Sequence, residues 1–158
     1  MMTDNVRVFD PKAAPIRRAP ERRDELATDR VYLLFTSFEE TLSAIPVASR
    51  LARALRSRLT VIHFKPVSFG AQLEEPCGLS PVETSDFRAR LEAEDCTAEA
   101  RVCVCRDARA ALSTVFRGRS LVVLGRRGGW WRTTSDRWRR TLEAAGHLVV
   151  VVDGHDHA

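Results

Sequence analysis

Ser120-Leu121-Val122-Val123-Leu124-Gly125-Arg126-Arg127-Gly128 sets an apolar run of four against a turn of glycine and arginine. Consecutive aliphatic residues suit a strand buried on both faces, as in a parallel sheet covered on each side. Val31-Tyr32-Leu33-Leu34-Phe35 and Leu148-Val149-Val150-Val151-Val152 have the same character. Leu59 to Phe64 and Ala100 to Cys105 read as two more strands. The segments between them read as helices. After the turn Thr36-Ser37-Phe38, one stripe carries Leu42, Ile45, Ala48, Leu51, Ala52 and Leu55, with Arg50, Arg53 and Arg56 elsewhere. That spacing is an amphipathic helix, and Pro46 within it is expected to bend it. Ser80, Pro81 and Glu83 form a start signal for a helix to about Asp95. Asp107 to Phe116 reads as a short helix, and Ser135 as the cap of one that runs through Ala145 and stops at Gly146.

Strands alternating with helices imply an α/β fold: a parallel sheet with right-handed crossovers and helices on both faces. The 158 residues are enough for one domain. We place that domain at 31–153, after a flexible leader at 1–30 with Pro11, Pro15 and Pro20, and before a polar tail at 154–158. Within the leader, Val6, Val8 and Phe9 are the residues able to dock. No apolar run approaches the ~20 residues of a membrane span, and the start lacks the apolar core of a secretory signal. The expected location is cytoplasmic, with no membrane partner.

Five stretches in order resemble the universal stress protein family. Thr36-Ser37-Phe38-Glu39-Glu40-Thr41 resembles the family's first turn, T-D-x-S-E, and Ala44-Ile45-Pro46-Val47-Ala48 resembles its A-L-P-Y-A. Val61-Ile62-His63-Phe64 is similar to L-L-H-V. Residues 120–128 resemble D-L-I-V-M-G-S-R-G, and His147 to Val152 resembles the closing P-V-L-V-V. The resemblance implies a doubly wound five-stranded parallel sheet in the order 3-2-1-4-5. Its ligand crevice would open where strands one and four part, which is also where any ligand of such a sheet is expected.

The resemblance also implies ATP or AMP as the ligand, held by G-x2-G-x9-G-[S/T]. Glycines let backbone N–H groups reach phosphate oxygens, and a helix N-terminus adds its dipole. Gly125 and Gly128 keep the first spacing, and Ser135 matches the hydroxyl position. Thr134 replaces the last glycine, and the connection from Gly128 to Ser135 is about four residues short for wrapping phosphates. Ser37 stands where the family has the acidic residue that contacts the nucleoside. These departures imply an altered or lost nucleotide crevice. Arg126 and Arg127, with Thr134 and Ser135, could still hold a small anion, since guanidinium groups pair well with phosphate oxygens. The alternative leaves Gly125 in a tight turn and the arginines in solvent.

The net charge of +4 hides an asymmetry: from Arg101 to Arg140 there are eleven arginines and two aspartates, an excess of nine positive charges. Such a field attracts phosphates, acidic proteins or nucleic acid, or is a solvated face. Trp130 and Trp131 in the loop, and Trp138 on the next helix, could stack on bases of a single strand. Equally, Trp138 and one loop tryptophan could cover the sheet. No recognised nucleic-acid module accompanies them, so nucleic acid is the more distant alternative.

Leu148, Val149, Val150, Val151 and Val152 form an uninterrupted apolar edge strand in this topology, an aggregation hazard unless covered. Pairing with a second copy about a two-fold axis covers it, as members of the family often do, so a homodimer is expected. Cys103 and Cys105 project from one strand face and could form a thiolate clip, but no C-x-x-C or nearby His completes a tetrahedral zinc set. They read as core residues, and no metal is expected. His63 reads as a core histidine and His147 as a strand cap, while His155 and His157 are terminal. No serine elbow, Walker loop or zinc helix appears. The sequence predicts a binding or regulatory protein with no catalytic residues.

Overall fold

The computed structural model describes residues 6–9, 30–68, 81–116, 118–128 and 134–154. In chain order these form β1 (Val6–Phe9), β2 (Arg30–Leu34), α1 (Phe38–Ala54), β3 (Arg58–Pro66) and α2 (Pro81–Ala93). β4 (Ala98–Cys105), α3 (Ala108–Val115), β5 (Leu121–Arg127), α4 (Thr134–Ala144) and β6 (Leu148–Gly154) follow. The described strands make one sheet in the order β1-β4-β3-β2-β5-β6. The five strands from β2 to β6 are parallel. Numbered from β2, they take the expected order 3-2-1-4-5.

Alternation along each central strand divides the core. Val31 and Leu33 face one way and pack with Val61 and Val123 against Ala44, Ile45 and Ala48 of α1 and Phe87 of α2. Tyr32 and Leu34 face the other way and pack with Ile62, Val122 and Leu124 against Ala111 and Leu112 of α3 and Leu142 of α4. Val31, Leu33, Leu34, Val122, Val123 and Leu124 are all fully buried. Each contributes roughly 1.5–3 kcal/mol on leaving water, so these two short strands anchor the domain.

The structure departs from the sequence reading at its start. Val6–Phe9, within the stretch read as a flexible leader, pairs antiparallel with β4, with Val6 opposite Cys105 and Val8 opposite Cys103. The physical reason lies in the edge: β4 would otherwise present a row of unpaired backbone groups. An antiparallel strand at the edge of a parallel sheet is a common solution. Arg30 of the stretch read as leader begins β2 and Gly154 of the stretch read as tail ends β6, while residues 1–5, 10–29 and 155–158, Ser80 and the loop tryptophans Trp130 and Trp131 lie outside the described residues. α1 runs unbroken through Pro46 for 17 residues. α4 begins one residue earlier than read, at Thr134, so Ser135 is a first-turn residue rather than the cap.

Trp138 is partly buried against the second core layer, stacked on Phe64 with ring centroids 5.3 Å apart. Cys103 and Cys105 are fully buried in that same layer. Burial, together with the neighbouring Cys105, pushes the Cys103 thiol up to about 12. Cysteines this reluctant to ionise behave as small core residues.

Candidate functional site

The crevice is built where β2 and β5 lie side by side and their following helices leave on opposite faces. Ser37 ends the β2 turn in an extended conformation (φ −139°, ψ 165°) and caps α1, its hydroxyl accepting from the Glu40 N–H at 3.4 Å. Gly125 to Gly128 end β5 across from it. The sheet therefore brings Ser37, Gly125, Arg126, Arg127, Gly128, Thr134 and Ser135 to one rim.

What fills that rim is Glu40. Ser37-x-x-Glu40 has the spacing of a capping box, in which the glutamate turns back to the N-cap amide. Here the carboxylate reaches across the crevice. One oxygen accepts from the Arg127 backbone N–H at 3.1 Å, and the other accepts from the Thr36 hydroxyl at 2.8 Å. The Ser135 hydroxyl stands 3.5 Å from that second oxygen but gives its proton to the Gly125 carbonyl at 2.6 Å. A backbone N–H behind the glycine turn is the donor that an anion at a switch point needs. That donor already serves a carboxylate of the chain itself.

The arginines are likewise engaged. Arg126 donates from Nε to Asp153 at 2.6 Å and lies 3.5 Å from Asp136 on α4. Hydrogen bonding to Asp153 and its charge, with the field of Asp136, raise the Arg126 pKa further. Arg127 pairs with Glu39 at 2.7 Å, both side chains about two-thirds exposed. Four carboxylates thus answer the two guanidinium groups and the Arg127 amide of the turn. Among these carboxylates Glu39 and Glu40 come from the first turn of α1.

Gly125 has a packing reason of its own. A Cβ there would stand 1.8 Å from the backbone oxygen of Glu40. No side chain fits, because the first turn of α1 sits directly on β5. At Gly128 a Cβ would meet nothing nearer than the Gly154 oxygen at 4.0 Å. Thr134 is exposed at the start of α4, and Ser135 is buried beneath it.

Glu40 was visible in the sequence only as one letter of the first-turn resemblance. The signal for its role was the capping-box spacing at the very turn that borders the crevice. The structure also resolves the two internal histidines. His63 is half-buried with its ring 4.5 Å from Phe35, and burial, with the Lys65 charge second, lowers its pKa. His147 accepts the Ser120 N–H on Nδ1 at 3.2 Å, and burial lowers its pKa. Among the described residues no group of three or more His, Cys, Asp or Glu could hold a metal ion.

A doubly wound parallel sheet in the order 3-2-1-4-5, with its switch point between the first and fourth parallel strands, defines a class of α/β domain. Within that class the chain has the universal stress protein fold. Its structure superposes on a universal stress protein from Burkholderia pseudomallei with TM-score 0.51 and 17% identity, covering 82% of this chain and 98% of that one. A universal stress protein solved in complex with cAMP gives the same score and identity, over 82% and 99% of the two chains. One from Archaeoglobus fulgidus gives 0.54 at 12% identity, over 77% and 96%. No family model and no curated protein matches the sequence. No described helix is long and apolar enough to cross a membrane.

Proposed function

We propose that this chain is a non-enzymatic, cytoplasmic binding or regulatory protein of universal stress protein type, whose nucleotide crevice is closed by its own Glu40. The observation that carries this reading is the carboxylate at 3.1 Å from the Arg127 N–H. An anion entering the crevice would have to displace Glu40 and compete with Asp153 for Arg126. Like charge at the rim makes that entry unfavourable. Thermal denaturation with ATP, AMP and inorganic phosphate tests it, because a ligand of the folded state raises stability by mass action. The expected result is no shift with any of the three. A shift that disappears in Arg126→Ala and Arg127→Ala would overturn the reading.

A second reading, an ATP- or AMP-binding protein, draws support from Gly125, Gly128 and Ser135 at the switch point and from the cAMP bound by one structural relative. The same titration separates the two.

The proposed protein is a homodimer that pairs through β6. This strand lies at the sheet edge, with Leu148 half exposed and Val149 to Val152 only partly buried. An edge of this kind invites pairing with another strand. Light scattering at micromolar concentration should give twice the chain mass, and Val151→Lys should give one. A monomeric parent protein would remove the dimer from the proposal.

A further inference from the structure

At the opposite end of the sheet, between α3 and α4, lies a cleft of about 520 Å³ that includes Arg109, Phe116, Arg119 and His147 among its walls. Phe116 and Arg119 precede β5 and His147 precedes β6, so the cleft opens toward the amino ends of these strands, while Arg109 in the first turn of α3 marks its other end. Its volume falls within the range of small-molecule sites.

The lining divides by chemistry. Leu112 and Phe116 are buried and supply an apolar wall. Arg109 and Arg119 are exposed, and neither guanidinium has a hydrogen-bonded or ion-paired partner among the described residues. Ser113 and Thr141 donate their hydroxyl protons to the carbonyls of Ala110 and Arg137, both at 3.0 Å. Their oxygens therefore meet a ligand as acceptors. His147 spends Nδ1 on the Ser120 N–H, which leaves Nε2–H as the donor of the neutral ring. The C-terminal ends of α3 and α4 border the same space. Their carbonyl ends disfavour an anion without a cationic partner beside them, so an anionic head there needs a guanidinium group, with the uncharged body along Leu112 and Phe116.

We propose that this cleft binds a small organic anion, one phosphate or carboxylate head joined to a short apolar body, through Arg109 and Arg119. The inference is independent of the Glu40-closed crevice, because the two share no residue.

Phenyl phosphate is the probe, with inorganic phosphate and phenol as its two halves, titrated calorimetrically against the full chain. Phenyl phosphate should bind saturably with Kd at or below about 1 mM, and each half should bind at least tenfold more weakly. Arg109→Ala with Arg119→Ala alters only exposed side chains and should weaken phenyl phosphate at least tenfold. Ser113→Trp should weaken it as well by filling the cleft from an exposed helical position, while circular dichroism confirms that both variants fold. Arg126→Ala should leave binding unchanged. Absence of saturable binding near that concentration would overturn the proposal. So would binding that survives the double substitution, or that Arg126→Ala removes.

Discussion

The two ends of the sheet carry arginine in opposite states. At the carboxyl end Arg126 and Arg127 face Glu39, Glu40, Asp136 and Asp153, and the glycine-turn amide is hydrogen-bonded to Glu40. Toward the amino end an open cleft runs along α3 from Arg109 in its first turn to Arg119 beyond its last, and neither arginine pairs with a described carboxylate. The excess of nine positive charges between Arg101 and Arg140 does not distinguish these ends. What distinguishes them is neutralisation, since a guanidinium already paired in good geometry offers an incoming anion little further gain. A ligand-ready end is thus read from unanswered charge, and a closed end from answered charge.

The largest expected effect tests how firmly the carboxyl end is shut. Gly125→Ala places a methyl group 1.8 Å from a backbone oxygen. It should cost about 3 kcal/mol or more in urea denaturation, or prevent folding. Gly128→Ala, in open space, should stay within about 0.5 kcal/mol. Equal tolerance at both positions would mean that α1 does not sit on β5, and the contrast between the ends would fail.

Ser135→Ala sharpens the same contact at smaller scale. It removes a 2.6 Å bond to a buried carbonyl and should cost about 1–2 kcal/mol. No loss would show that water substitutes there and that the rim is wetter than described.

A pH effect read at His147 probes the amino end. His147 and His63 have native pKa values below the ordinary 6.5 because burial disfavours the charged ring. Below pH 6.5 the unfolded rings take up protons while the native rings resist, so the unfolded state binds more protons. Their stabilising contribution is present above pH 6.5 and declines as pH falls toward the native values. His147→Gln should flatten part of that decline in denaturation curves. An unchanged slope would show that burial does not hold this ring neutral.

The smallest effect is expected at the exposed pair. Arg127→Ala should change stability by no more than about 0.5 kcal/mol, since both side chains of the Arg127–Glu39 pair are largely in water. A larger loss would mean that surface charge, rather than the Glu40 contact, holds the rim together.

The parallel sheet was legible because burial on both faces leaves continuous apolar runs, as at Val31 to Leu34 and Leu121 to Leu124. Helix α1 was legible from the 3.6-residue stripe that now packs Ile45 and Ala48 on the sheet. Strand β1 was harder to read, because four residues among prolines and charges carry no sustained period. Its pairing depends on an edge that exists only once β4 is in place. The residues named for the crevice fall on one rim, but their partners were not legible. Whether Arg126 meets solvent or Asp153 depends on a contact between residues 27 positions apart. The link between Glu40 and Arg127 spans 87 positions, a separation that local patterns do not record.

The most direct test of the central claim is to titrate the parent protein and Glu40→Ala side by side with ATP. The account predicts no saturable binding to the parent and measurable binding once the carboxylate is gone. ATP bound by the parent as tightly as by the variant would contradict it.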